Sequence, residues 1–332
     1  MRPVICFGEA LIDLLSNTQL EVDGLALPQF TQYPGGAPAN AAVAVAKLGG
    51  DSHFIGQVGD DSFGRFLIQA LNRYGVKTDL LSEHPSAKTA LAFISLDQTG
   101  DRSFSFYRDN SADMLLSPSQ IKQQLATAAL QSLLAQKPIF HFCSNTLTSD
   151  SITESTHYAV QQFIKAGATI SFDVNLRHNL WPQNNVDINR VNELVVQANL
   201  LKFAKQEFEY LSQSSQQNGK QSYLKQCFAG RCELIIITDG GNTIEYFTQT
   251  GDRIVSHSIE PPVIEVVDTT AGGDGFIGGL LYGLSLSIKP ISAQPLPQLI
   301  ATAAQCGAIA VSRAGAFPAL AVQDDVADFS QF

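Results

Sequence analysis

The chain lacks an intact copy of either common nucleotide-phosphate signature. No Gly-x-x-x-x-Gly-Lys-Ser/Thr occurs in it, which excludes a P-loop site. A dinucleotide-like Gly273-x-Gly275-x-x-Gly278 is present, but no Asp or Glu lies between Gly275 and Gln323. That fingerprint needs an acidic residue about 20 positions on to hold the ribose, so a nicotinamide-dependent oxidoreductase is disfavoured. Basic residues are also few: 21 Lys and Arg against 31 Asp and Glu leave a formal net charge of −10. Nucleic-acid backbones call for basic patches, so nucleic acid is not expected as a partner. A single nucleotide stays compatible, since a metal ion and a few local donors hold its phosphates. No apolar run reaches bilayer length, and the chain moves from Met1 into a strand at Val4 with no leader-like segment, so no membrane association is expected. The five cysteines are Cys6, Cys143, Cys227, Cys232 and Cys306; Cys227 and Cys232 lie five apart, not a common metal spacing, with no nearby His. Free thiols in a reducing, cytoplasmic compartment are expected.

What is present is alternation. Strands are expected at Val4–Phe7, His53–Gln57, Ile139–Cys143, Thr169–Asp173, Leu200–Phe203 and Leu234–Thr238, with helical patterns such as Ser62–Tyr74, Thr153–Lys165 and Phe208–Leu211 between them. This order predicts an α/β fold, a mainly parallel sheet covered on both faces, with ligands at the carboxyl ends of its strands. The 332 residues suit one large domain spanning 1–332. Leu11–Tyr33 and Thr89–Arg108 break the pattern with β-like alternation and no helix. Within the second, Ala90–Leu96, a turn at Asp97–Asp101 and Arg102–Tyr107 read as a hairpin. The polar run Ser212–Gln221 reads as a surface loop.

The most informative stretch is Asp268-Thr-Thr-Ala-Gly-Gly-Asp-Gly-Phe276. Val263–Val267 before it reads as a strand, and the apolar run Phe276–Leu286 after it as a buried helix. A strand–turn–helix junction exposes backbone N–H groups and the positive end of the helix dipole, which suits a phosphate. A carboxylate beside it, Asp274, is placed to take a proton from a nucleophile attacking that phosphate. A Gly-rich turn with an Asp also serves as a plain helix cap, and this junction alone leaves both readings open.

A second cluster runs from Gly35 to Gly50. A glycine pair opens it and an Ala-rich segment, the pattern of a buried helix, closes on another pair. Asn40 falls in the first turn of that helix, where a buried amide needs partners. Gly35 and Gly36 are either an ordinary turn or a place where a ligand hydroxyl approaches the main chain.

Together, from about Val4 to Leu320, these clusters resemble the ribokinase-like, or PfkB, family of sugar kinases. Gly35–Gly50 is similar to its N-terminal signature and Asp268–Phe276 to its C-terminal one. Gly8-Glu-Ala-Leu-Ile-Asp13, Tyr107-Arg108 followed by Ala112-Asp113, and Phe172-Asp-Val-Asn-Leu-Arg177 followed by Leu180-Trp181 resemble the fructokinase branch. The resemblance implies a ribokinase-like fold, with segments at about 11–34 and 88–110 forming a small β-sheet lid, and homodimers paired through such lids. It implies an ATP-dependent, Mg²⁺-requiring kinase making fructose 6-phosphate; an aminoimidazole riboside kinase, a 2-keto-3-deoxygluconate kinase and a catalytically inactive sugar- or nucleotide-binding regulator remain alternatives.

By the same resemblance Asp274 is the general base, and Ala271, Gly272 and Gly273 offer N–H groups to the transferring phosphoryl group. The turn reads Ala-Gly-Gly-Asp where the family usually has Gly-Ala-Gly-Asp. Asp13, Gly35, Gly36, Asn40 and Arg108 correspond to sugar contacts, with Arg108 reaching over the sugar from the lid. Asn175, Arg177, Lys202, Thr238, Gly240 and Gly273 correspond to the nucleotide side. Glu207 corresponds to a residue that organises Mg²⁺ through water, although Ala204 stands where many members have Asn or Ser. Ala304 stands where an Asn usually lies near adenine. Asp268, Thr270, Ala310 and Gly315 fall where the family can bind K⁺.

Overall fold

The structure, a computed structural model, describes residues 1–96, 102–214 and 219–326. Its first strand, β1 (Val4–Phe7), leads into a long hairpin of β2 (Leu11–Val22) and β3 (Leu25–Gly35). Next come β4 (Ser52–Gly59), β5 (Leu81–His84), β6 (Leu91–Leu96) and β7 (Arg102–Tyr107). The second half holds β8 (Ile139–Cys143), β9 (Thr169–Asp173), β10 (Leu200–Ala204), β11 (Leu234–Thr238), β12 (Ile244–Thr250) and β13 (Arg253–Ile259). The helices are α1 (Ala37–Lys47), α2 (Ser62–Arg73), α3 (Pro118–Leu125), α4 (Ala128–Ala135) and α5 (Asp150–Lys165). They continue as α6 (Ile188–Val195), α7 (Lys205–Ser214), α8 (Lys220–Phe228), α9 (Gly272–Ser285) and α10 (Leu296–Val311).

Strands such as Val-Ile-Cys-Phe and Leu-Ile-Ile-Ile-Thr are apolar on both faces, and their β-branched and aromatic side chains suit a sheet buried on both sides. They form a nine-stranded sheet in the order β13-β12-β11-β10-β9-β8-β1-β4-β5, parallel except for β12 and β13. β1 is flanked by β4 and β8, both parallel to it. The chain therefore winds outward from β1 in two directions, which opens a crevice above the carboxyl ends of β1 and β8.

Helix α1 lies against α9 because both present small residues. A methyl group on Gly278 would sit 2.3 Å from the Ala44 Cβ, and one on Gly275 would sit 3.0 Å from the Ala310 Cβ of α10. Two of the glycines in the dinucleotide-like pattern thus serve helix packing. This packing sets the start of α1 beside the start of α9.

The second sheet has the order β3-β2-β6-β7. β2 turns into β3 through Asp23 and Gly24, with φ of 52° and 78°, as a two-residue hairpin loop of matching twist requires. The approach to β6 is tied to the main body through Asp61, which accepts hydrogen bonds from Thr89 N (3.0 Å) and Thr89 Oγ1 (2.9 Å) and also caps α2. The segments expected to be β without helix are this sheet; the turn at Asp97–Asp101 lies outside the described residues.

Two expectations are corrected. Val263–Val267 is not a strand: Pro261 and Pro262 follow β13 and cannot donate to a ladder, and the segment's side chains face solvent. Only its end is held, by Val267 N and Asp268 N donating to Val311 O. The run Ser212–Gln221 is not one loop, since Ser212–Ser214 end α7 and Lys220 opens α8; 215–218 lie outside the described residues. Among the described residues no helix is long and apolar enough to cross a membrane.

Candidate active site

Asp274 sits in the first turn of α9, after the N-cap residue Ala271. The N–H groups of such a first turn have no partner within the helix, and the dipole there favours an anion. The Asp274 carboxylate is buried and accepts a hydrogen bond from Asn40 Nδ2 at 2.7 Å. Burial pushes its pKa up to about 7; the Asn40 bond pulls the other way, and the Asp173 charge adds to the rise.

Asn40 is delivered by Gly36, the N-cap residue of α1, whose φ of 105° is a left-handed conformation and whose missing Cβ would lie 2.5 Å from Glu9 O. Gly35 is needed for a second reason: a methyl group there would lie 2.1 Å from the Asp13 Oδ2. Asp13, on β2, is buried, and burial with the charges of Asp274, Asp268 and Glu9 raises its pKa to about 7.

The loop after β9 carries Asn175, with φ of 41°, and the exposed Arg177. Glu207 braces this loop: its Oε1 accepts from Leu176 N and its Oε2 from Ala204 N, each at 2.8 Å. Lys202 reaches across from β10 to Asp173 at 2.9 and 3.1 Å, and its Nζ would lie 3.1 Å from a methyl group on Gly273. Burial opposes the ammonium charge, but the carboxylates of Asp173 and Glu207 outweigh it, so Lys202 stays charged beside the 271–273 turn.

The resulting cleft has a cavity volume of about 80 Å³ and is open at its mouth. It brings together Asp13, Gly36, Asn40, Asn175, Arg177 and Asp274, all singled out from the sequence. Glu9, Leu11, Ala37, Phe106 and Asn145 also line it and were not singled out. Glu9 and Asn145 each lie two residues past the end of a strand, β1 and β8, so strand-end position was the signal available for both. Leu11 and Phe106 come from the second sheet, which forms the roof. Asp268, Thr270 and Gly315 meet at an adjoining small cleft, where Asp268 accepts from Thr270 N (2.8 Å) and Gly315 N (3.0 Å). Ala310 is buried on α10 against Gly275.

Arg108, expected to reach over the sugar when the lid closes, lies buried behind the cleft wall in this structure, donating from Nε to Asp113 at 2.7 Å and from Nη1 to Asn145 O at 3.0 Å. An arginine carrying a paired carboxylate is stable there, whereas an unpaired one is not. Thr238 and Gly240 do not line the cleft either; they lie farther along the sheet at the end of β11, where Thr238 Oγ1 donates to Phe203 O.

A carboxylate beside an anion-binding helix start, at the switch point of a parallel sheet roofed by a small second sheet, defines a carbohydrate kinase. The pfkB family carbohydrate kinase profile matches residues 1–321, and the chain belongs to that family. It is therefore a phosphotransferase acting on a sugar hydroxyl. It is 35% identical to probable fructokinase-7 of Arabidopsis thaliana, over 98% of this chain and 91% of that protein. Its structure is similar to that of fructokinase with bound ATP from Xylella fastidiosa (TM-score 0.86, 35% identity, 97% and 96% of the two chains). It is also similar to a fructokinase double mutant from Vibrio cholerae in a form bound to fructose, ADP and potassium ion (TM-score 0.82, 30% identity, 98% and 96% covered).

Proposed function

We propose that the chain is a fructokinase, converting ATP and D-fructose to ADP and D-fructose 6-phosphate. The observation that carries this reading is the buried Asp274 carboxylate, bonded to Asn40 at the start of α9, in a chain whose similar proteins are fructokinases. Asp274 accepts the proton of the attacking hydroxyl as the new O–P bond forms and the bond to the leaving diphosphate breaks. The backbone N–H groups of Ala271, Gly272 and Gly273 receive the transferring phosphoryl group; single donors of this kind are worth about 2.7–4 kcal/mol. Asp13, Gly35, Gly36 and Asn40 hold the sugar.

ATP lies along the carboxyl ends of β9 to β11. Arg177 and Lys202 face its phosphates, Asn175 orients the γ-phosphate, and Thr238 and Gly240 hold its outer part. A buried lysine beside a helix start fits a polyphosphate. Mg²⁺, when bound, neutralises phosphate charge. Among the described residues no three His, Cys, Asp or Glu side chains converge as a metal cage, and Mg²⁺ would be held largely by the nucleotide's phosphates. Glu207, whose oxygens already accept backbone N–H groups, contacts the ion through water. Asp268, which ties together the loops of Thr270 and Gly315 by accepting from their N–H groups, would with Thr270, Ala310 and Gly315 hold K⁺.

The β3-β2-β6-β7 sheet serves as a lid, and its exposed apolar residues Leu20, Leu25, Leu27, Phe30 and Tyr107 form the pairing face of a homodimer. The cysteines, all buried and unpaired, suit a reducing cytoplasm.

The test is ADP formation by the purified protein with ATP and Mg²⁺ against fructose, ribose, aminoimidazole riboside and 2-keto-3-deoxygluconate. Turnover on fructose above the others is expected. Strong turnover on another sugar alone would overturn the substrate and keep the chemistry.

A further inference from the structure

One wall of the cleft carries buried polar atoms that no protein group satisfies. Glu9 and Asn145 are 2% and 5% exposed. They are joined by Asn145 Nδ2 donating to Glu9 Oε1 at 2.9 Å, and Ala37 N donates to the same oxygen at 3.3 Å. Glu9 Oε2 and Asn145 Oδ1 are left without a partner among the described residues, and both side chains line the cleft. An unpaired buried polar atom costs about 1–3 kcal/mol, so two side by side at a cleft wall await a ligand.

The wall is stiffened from behind. Arg108 donates to Asn145 O and to Asp113, and Ser111 Oγ also donates to Asp113. This holds Asn145 at both its backbone and its amide. Burial pushes the Glu9 carboxyl up, while Arg108 and Asn145 pull it back toward the charged form.

The chemistry of the wall selects a ligand class. Both unpaired atoms are acceptors, so they take hydroxyl donors. Glu9, Asp13 and Asp274 put three carboxyl groups around the cleft, against Arg177 as the cation lining it. Arg108, the next cation, pairs with Asp113 through Nε and with Asn145 O through Nη1, and its Nη2 is also left without a partner among the described residues, a donor available to a sugar oxygen at the same wall.

We propose that Glu9 and Asn145 form a hydroxyl-reading wall of the sugar pocket, with Arg108 as a positioning residue behind it. This rests on the sugar-kinase reading above and deepens it to the residues that read the sugar's hydroxyls.

The experiment uses the full chain, with fructose and fructose analogues each lacking one hydroxyl. For the wild type, at least one deoxy analogue loses about 100-fold or more in kcat/KM, since a site built to bond a hydroxyl rejects its absence strongly. In Asn145→Ala the fructose KM rises about tenfold or more, and the penalty for that same analogue shrinks by about the same factor. In Glu9→Gln, which exchanges one acceptor oxygen for a donor, the fructose KM also rises and the penalty for one deoxy analogue shrinks. Arg108→Gln raises the KM for fructose while the KM for ATP stays within about twofold. A purely structural role would lower activity on every substrate alike and leave the ratios unchanged; that outcome in both wall variants, with fructose-active wild type, overturns this inference alone. If Glu9→Gln does not fold, Asn145→Ala carries the hydroxyl comparison. Absence of fructose turnover by the wild type would instead overturn the fructokinase reading and this inference with it.

Discussion

Asn40 Nδ2 lies 2.7 Å from Asp274 Oδ2, a bond between residues 234 apart that joins the starts of α1 and α9. It fixes the direction of the carboxylate and favours its charged form. Burial works against that charge, and the balance leaves Asp274 near 7. A base poised near the working pH combines the correct protonation state with useful proton affinity.

The first consequence is a pH profile. kcat/KM for the sugar rises with pH through about 7, as the proton leaves Asp274. Asp13 titrates in the same range, so the limb belongs to both carboxyls. Asn40→Ala removes a donor to the charged form, so the limb moves to higher pH and kcat falls. A limb that stays in place would show that Asn40 does not tune the base.

The same shift makes a stability prediction. Asp274 titrates at about 7 in the folded chain and at about 4 unfolded, so its contribution is complete below the unfolded value and is lost as pH rises through the folded one. Asp274→Asn therefore melts at a higher temperature than wild type at pH 8, and the gap closes toward pH 4. Equal melting at both pH values would contradict a carboxylate charged at a buried site.

Glu207→Ala leaves Leu176 N and Ala204 N without their acceptor. Each orphaned N–H costs about 1–3 kcal/mol, and the loop carrying Arg177 loosens. The expected result is a lower melting temperature and a raised KM for ATP, with a smaller effect in Glu207→Gln, which keeps one acceptor oxygen. An unchanged ATP KM in Glu207→Ala would separate this brace from the nucleotide side.

Gly36→Ala combines a left-handed φ of 105° with a methyl group 2.5 Å from Glu9 O. Strain of this kind costs about 1–3 kcal/mol. Thermal melting reports the loss, and the fructose KM rises because α1 no longer delivers Asn40 correctly. Wild-type values for both would show that the turn relaxes freely.

The strands of the parallel sheet were legible because runs such as Val4–Phe7 and 234–237 are apolar without interruption, as burial on both faces demands. Asp274 and Asn40 were legible because each follows a glycine pair at a helix start. Val263–Val267 misled because its composition is that of a strand, while Pro261-Pro262 and an edge already ended by β13 leave it nothing to pair with. The Glu9–Asn145 wall was not legible. The two residues are 136 apart and meet only because β1 and β8 are neighbours, an adjacency that periodicity does not encode.

The most direct test of the central claim is the turnover of Asp274→Asn, which keeps the shape and removes the base. With fructose, ATP and Mg²⁺, kcat should fall by about 10²–10⁴ while fructose still binds by calorimetry. Turnover near the wild-type value, with binding intact, would contradict Asp274 as the base and the phosphoryl-transfer geometry built around it.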